Sequence, residues 1–108
     1  MAYKVLWDSR VEKDLSNLDK KTKERIINKV TTYLNKKPES LGKKLSGEYS
    51  QYYRYQEGSW RIIYSLNKQE NILTVYKVGH RKEIYKDFGR KMLPMALLVS
   101  LLKSNPFG

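Results

Sequence analysis

The sequence predicts an α+β domain of the order β-α-α-β-β-β. An N-terminal strand leads to a helical hairpin. A three-strand antiparallel meander then completes one sheet, with the helices on one face and a short helix at the C-terminus. Three observations predict it. Apolar residues recur at helical spacing between residues 9 and 36, runs of aromatic and β-branched residues follow residue 51, and short turns separate those runs. Turns that short join antiparallel neighbours, and helices followed by a meander form a helical layer on one sheet face.

Tyr3-Lys4-Val5-Leu6-Trp7 reads as the first strand, with Tyr3, Val5 and Trp7 on one face. Asp8 and Ser9 both offer N-cap oxygens, and Ser9 with Glu12 has capping-box spacing. Val11, Leu15 and Leu18 form the apolar stripe of the first helix. The polar run from Asp19 to Lys23 breaks it, with Asp19 or Thr22 capping a second helix. That helix places Ile26, Ile27, Val30, Tyr33 and Leu34 on one side and stops near Lys37, because Pro38 disfavours a helical residue before it. A membrane-surface hairpin is the other reading, but the strands that follow give the apolar face a protein surface to cover.

Residues 38–49 read as a polar connector carrying Gly42, Gly47 and the pair Lys43-Lys44. Strands follow at 52–56, 60–66 and 72–78, separated by Glu57-Gly58-Ser59 and by residues 67–71. In the tail, Pro94 suits a first helical turn. Leu97, Leu98, Leu101 and Leu102 then recur at helical spacing. A helix carrying four exposed leucines would be adhesive, so it is expected to dock on the domain or on a second copy. The whole chain, 1–108, is read as one domain with its core in about 1–88 and an apolar extension over 90–108.

The chain has 22 Lys+Arg against 11 Asp+Glu, a net charge of +11. That excess favours a polyanionic partner, or otherwise a solvated basic surface. With no cysteine and one histidine, disulfide frameworks, thiolate chemistry and a zinc site are not expected. The longest apolar run, 92–102, is too short for a bilayer span of about 20 residues, so no membrane partner is expected and the compartment is read as cytoplasmic.

Chemistry-bearing residues gather in the second half. Alternation puts Tyr53 and Tyr55 on one face of their strand and Tyr52, Arg54 and Gln56 on the other. On the next strand Trp60, Ile62, Tyr64 and Leu66 oppose Arg61, Ile63 and Ser65. The larger apolar set belongs on the core, so Arg54 and Arg61 share an open face, where two cations fit an anion between them. Taken singly, each is equally read as snorkelling or as pairing with Glu48 or Glu57. His80-Arg81 follows the last strand past Gly79, and Tyr85 stands one helical turn from Arg81. By spacing alone Val78 to Tyr85 is a strand, a glycine turn and a basic helix start. By residue type it supplies fixed cations and proton-transfer groups for a phosphate. Lys43, Lys44, Lys82 and Lys86 surround them as backbone contacts, and Tyr52 is a candidate for stacking on an unpaired base.

Three stretches together resemble the RelE/ParE superfamily of toxin–antitoxin modules, and most of all the RelE-type mRNA interferases. They are Lys44-Leu45-Ser46-Gly47, the hairpin Tyr53-Arg54-Tyr55…Gly58-Ser59-Trp60-Arg61-Ile62-Ile63-Tyr64, and Val78-Gly79-His80-Arg81-Lys82-Glu83-Ile84-Tyr85. The resemblance covers roughly residues 1–88. It implies a ribosome-dependent endoribonuclease in which a 2′-hydroxyl attacks the adjacent phosphate in the decoding site, without metal or other cofactor. It also implies a small acidic antitoxin as partner, with a homo-oligomer through the C-terminal helix as a further expectation. Catalytic roles carry over onto Arg54, Arg61, Arg81, Tyr85 and His80, and RNA contacts onto Lys43, Lys44, Tyr52, Gln56, Lys82 and Lys86. Gln56 departs from the pattern, since many members have a second basic residue there and an amide brings no charge. Two other functions follow from the same resemblance: a ParE-like inhibitor of DNA gyrase, or a catalytically impaired protein that binds nucleic acid or antitoxin.

Overall fold

The computed structural model describes residues 2–45 and 50–82. The expected C-terminal helix, Tyr85, Lys86 and the Ser46-Gly47 turn lie outside them. Strand β1 (Lys4–Trp7) is followed by α1 (Ser9–Ser16), α2 (Lys20–Thr32), a 3₁₀ turn (Leu34–Lys36), α3 (Pro38–Leu41), β2 (Lys43–Lys44), β3 (Tyr52–Glu57), β4 (Trp60–Asn67) and β5 (Ile72–His80). One five-stranded sheet runs β1-β5-β4-β3-β2. The meander is antiparallel as expected, while β1 joins β5 in parallel, Lys4 opposite Ile72 and Trp7 opposite Val75.

The helices start where carboxylates cap them. Asp8, not Ser9, caps α1 by accepting from the Arg10 backbone N–H at 3.0 Å, which makes Ser9 the first helical residue. Asp19 caps α2, accepting from Thr22 N at 3.2 Å and from the Thr22 hydroxyl at 2.6 Å. Each cap satisfies a first-turn amide that has no partner inside the helix.

Both helices lay their apolar stripes on one sheet face. Val11, Leu15, Ile26, Val30 and Leu34 meet Tyr53, Ile62, Tyr64, Leu73, Val75 and Val78 in a single core, with Tyr3, Val5, Trp7 and Leu18 at its edge. Truncating a buried aliphatic of this core to alanine costs about 2–5 kcal/mol.

Three local expectations are corrected. α2 ends at Thr32 rather than near Lys37. At Tyr33 the backbone leaves the helix (φ −126°), and the tighter winding that follows turns Leu34 into the core. Tyr33 is consequently not on the buried stripe but 46% exposed, with Lys29 Nζ 4.9 Å from its ring centroid. Pro38 does not simply end a helix. It opens α3, where its missing N–H costs nothing. The stretch read as connector thus holds a short helix and an edge strand, with Lys43 opposite Arg54 and Lys44 opposite Tyr53.

Tyr64 ties this region to the sheet. Its ring stacks on Tyr53 at 5.4 Å, and its hydroxyl donates to Pro38 O at 2.6 Å. Burial pushes the phenol pKa up, so it remains a donor. Gly42 passes so close to that hydroxyl that an added Cβ would collide with it.

β5 carries one irregularity. Ile63 faces Lys77 but Tyr64 faces Val75, so Tyr76 is an extra residue, a β-bulge. Before the bulge Leu73 and Val75 face the helices; after it Val78 and His80 do. β1 ends at Trp7, and α1 takes over the open edge of β5 beyond it. There Asp14 Oδ2 accepts from Val78 N at 3.2 Å, and its Oδ1 accepts from Lys77 Nζ at 2.7 Å.

Candidate nucleic-acid interface

The sheet face opposite the helices can be read as rows, because paired residues on adjacent strands stand side by side. One row holds Leu6, Thr74, Ser65 and Tyr52. The next holds Lys77, Ile63, Arg54 and Lys43. The third holds Gly79, Arg61 and Gln56. Arg54 and Arg61 do share this face, as alternation predicts. They are not exposed, however: Arg54 is 5% and Arg61 2% accessible. Alternation predicts an open face, yet its own apolar residues Ile63 and Leu45 are 1% and 2% accessible, so it is a second buried surface rather than a solvated one.

The turn between β3 and β4 organises the site. Gly58 has φ +58°, a conformation that glycine adopts without the steric cost a side chain brings. Arg61 folds back on this turn, its Nη1 donating to Gly58 O at 2.9 Å and to Trp60 O at 3.1 Å. The Arg81 backbone N–H donates to Ser59 O at 2.8 Å, which docks the end of β5 on the same turn. The Arg81 and Lys82 side chains are exposed, as are Gln56, Lys43 and Lys44. Gly79, opposite Arg61, places no side chain over the guanidinium. Of the two acids proposed as bland partners for the arginines, Glu57 instead takes Arg25 at 3.8 Å and the Tyr55 hydroxyl at 3.4 Å. Burial, ahead of the Glu57 charge, raises the Tyr55 pKa.

His80 is not brought together with Arg54 and Arg61. It stands opposite Trp60, whose indole packs on the core, and the two rings meet edge to face at 5.4 Å. His80 therefore lies on the helical side of the sheet. Its Nδ1 accepts from Lys82 N at 3.2 Å, which in the neutral ring puts the proton on Nε2.

Sequence reasoning missed four residues. Asp14 and Lys77 form the ion pair under the approach to Gly79. Both disappear into periodic patterns, Asp14 as a polar helix position and Lys77 as part of an apolar run. Tyr76 carries no mark, because a bulge has no simple signature. Its ring meets Tyr52 edge to face at 5.6 Å, and Ser65 Oγ donates to its hydroxyl at 3.4 Å. Arg10 lies beside this pair, held by Asp8 through Nε at 2.9 Å and Nη2 at 3.2 Å. Its pKa is raised first by the Asp8 hydrogen bond, with smaller electrostatic contributions from Tyr52 and Tyr76.

A family profile described as the ParE toxin of type II toxin–antitoxin systems matches residues 5–85, from β1 through the hairpin and past His80-Arg81. The chain belongs to this family. It is a toxin of the RelE/ParE type. Toxin RelG of Mycobacterium tuberculosis is 23% identical over 86 residues, 80% of this chain and 99% of that protein. Among solved structures, the toxin-antitoxin complex RelBE2 of M. tuberculosis superposes with a TM-score of 0.71 at 20% identity, over 74% of this chain and 99% of that one. The archaeal RelE–RelB complex of Pyrococcus horikoshii gives 0.61 at 29% identity, over 75% of this chain and 97% of that one. No helix among the described residues is long and apolar enough to cross a membrane.

Proposed function

We propose that this toxin is an endoribonuclease that cleaves mRNA on the ribosome. The 2′-hydroxyl attacks the adjacent phosphate, leaving a 2′,3′-cyclic phosphate and a free 5′-hydroxyl. The observation that carries the reading is the joint anchoring of Arg61 and Arg81 on the Gly58-Ser59 turn, beside the row that holds Arg54. Cations fixed by the backbone before substrate arrives are what charge development on a phosphorane requires. Likeness to proteins named RelE and RelG supports the same reading.

In this mechanism Arg54 and Arg61 form the fixed floor of the phosphate site, and the exposed Arg81 closes over it. Gln56, opposite Arg61, contributes a neutral hydrogen bond. The ring of His80 packs on Trp60 and its Nδ1 is occupied, so Tyr85 takes the proton from the 2′-hydroxyl. Lys43, Lys44, Lys82 and Lys86 hold neighbouring phosphates without reading sequence. The partner that silences the toxin is a small acidic antitoxin. The RelE–RelB complex of P. horikoshii and the surplus of 22 Lys+Arg over 11 Asp+Glu support it.

Primer extension on mRNA from cells expressing the chain tests the reading. Cuts that appear only while translation runs, and vanish in Tyr85→Phe but persist in His80→Ala, are expected. The second reading, inhibition of DNA gyrase by binding, is favoured by the ParE name of the matching family. Intact mRNA together with blocked supercoiling by purified gyrase would establish it in place of the first.

A further inference from the structure

The phosphate chemistry uses two of the three rows on the non-helical sheet face. The remaining row carries Tyr52 on β3 and Tyr76 at the bulge of β5, with Ser65 of β4 between them. Neither tyrosine belongs to the hydrophobic core, and both are half-buried. A small serine between two rings leaves a floor rather than a ridge. The rings meet at 78°, so the edge of one covers a face of the other while further ring surface stays uncovered by the partner ring. Three hydroxyls, from Tyr52, Ser65 and Tyr76, and the Arg10 guanidinium surround the pair.

The spacing is informative. Tyr52 precedes Arg54 by two residues on the same strand face, a separation of about 6.7 Å. That distance is close to one nucleotide step along a single strand. Aromatic rings on a sheet face next to fixed cations hold unpaired bases, with stacking supplying affinity and cations tracking the backbone.

We infer that Tyr52 and Tyr76 form a stacking subsite for one unpaired base of the RNA, the base next to the phosphate held by Arg54 and Arg61. Arg10 lies at the rim, where it meets the following phosphate. This rests on the reading that the toxin handles RNA, and it adds a nucleotide position to it.

The test uses the full chain and two short single-stranded RNAs. Both carry a 2′-deoxy residue at the position of attack, so neither is cut, and one lacks a single base beside it. Fluorescence anisotropy is expected to give about tenfold tighter binding of the intact strand by the wild type. Tyr76→Leu and Tyr52→Leu should each erase that ratio, while Tyr76→Phe retains it. In the wild type, the ring-proton resonances of Tyr52 or Tyr76 should move on adding the intact strand and stay in place with the abasic one, a readout that needs no variant. Equal affinities, no measurable binding, or a ratio that survives both leucine substitutions would overturn the subsite. So would an antitoxin peptide whose affinity alone falls in Tyr76→Leu, which assigns the pair to protein instead. The two readings fail separately. Base discrimination without mRNA cleavage keeps the subsite and removes the nuclease, and cleavage without discrimination does the reverse.

Discussion

Arg61 and Arg81 are tied to adjacent carbonyls of one turn, Arg61 through its guanidinium to Gly58 O at 2.9 Å and Arg81 through its backbone N–H to Ser59 O at 2.8 Å. The arginines are therefore positioned by the same two residues but differ in what their side chains do. One is structural as well as charged; the other is held by its main chain and leaves its side chain exposed.

That difference predicts a split between two alanine variants. Arg81→Ala keeps its backbone bond and should melt within about 0.5 kcal/mol of wild type while abolishing growth arrest. Arg61→Ala removes a nearly inaccessible group and strands turn carbonyls, at a cost of about 1–3 kcal/mol. Thermal unfolding beside a growth assay checks both, and a folded, fully toxic Arg81→Ala protein would remove that residue from the mechanism.

A second expectation concerns Asp14 and Lys77. Their side chains are 14% and 9% accessible and meet at 2.7 Å. Asp14→Ala leaves an ammonium with little access to water and should cost about 3–5 kcal/mol. Replacing both, as Asp14→Leu with Lys77→Met, removes the stranded charge and should cost clearly less than the single change. Denaturant unfolding of the single and double variants measures this. Additive losses would show that the pair acts as two independent residues.

Gly42 and Tyr64 provide a steric counterpart. Gly42→Ala pushes the Tyr64 hydroxyl away from Pro38 O, breaking a buried hydrogen bond, and should destabilise by about 1–3 kcal/mol. Tyr64→Phe loses the same bond without a collision. Combined, the two changes should cost less than their sum, because the hydroxyl that the added methyl would strike is gone. Thermal unfolding of the two single variants and the double variant checks this, and strict additivity would count against the contact.

The helix caps predict the acid limb of stability. A hydrogen bond from the Arg10 side chain holds the Asp8 pKa below its ordinary value, and one from the Thr22 hydroxyl does the same for Asp19. Groups lowered by folding stabilise fully above their unfolded pKa near 3.8 and lose that contribution as pH falls through the lower folded value. Melting temperatures should hold from neutral pH down to about pH 4 on this account and then decline. Asp19→Asn, which caps without titrating, should flatten part of that decline. An identical acid profile in the variant would show that Asp19 does not contribute to it.

Elements whose signal is periodic were legible in the chain. The β1 face of Tyr3, Val5 and Trp7, the stripe of Val11, Leu15 and Leu18, and the opposite facings of Ile62 and Arg61 all follow from residue spacing. Elements set by tertiary contact were not. β2 is two lysines whose strand geometry comes from pairing with β3, and α3 exists because Tyr64 holds Pro38 from across the core. The same holds for the site. Alternation placed Arg54 and Arg61 on one face, but their burial depends on what covers that face. The facing of His80 depends on a bulge four residues earlier, and composition does not announce one.

The bulge at Tyr76 has a consequence for how such chains can diverge. Because side chains alternate, the extra residue sets the parity of everything after it. Deleting one position between Val75 and Lys77 would carry His80 to the arginine side and turn Gly79 toward Trp60, exchanging the occupants of two surfaces without altering any residue type. Loss and gain of single residues should thus be filtered out of this strand and tolerated in the 67–71 turn, which sets no facing. Substitution can tune β5 gradually, whereas its length is inherited all or none.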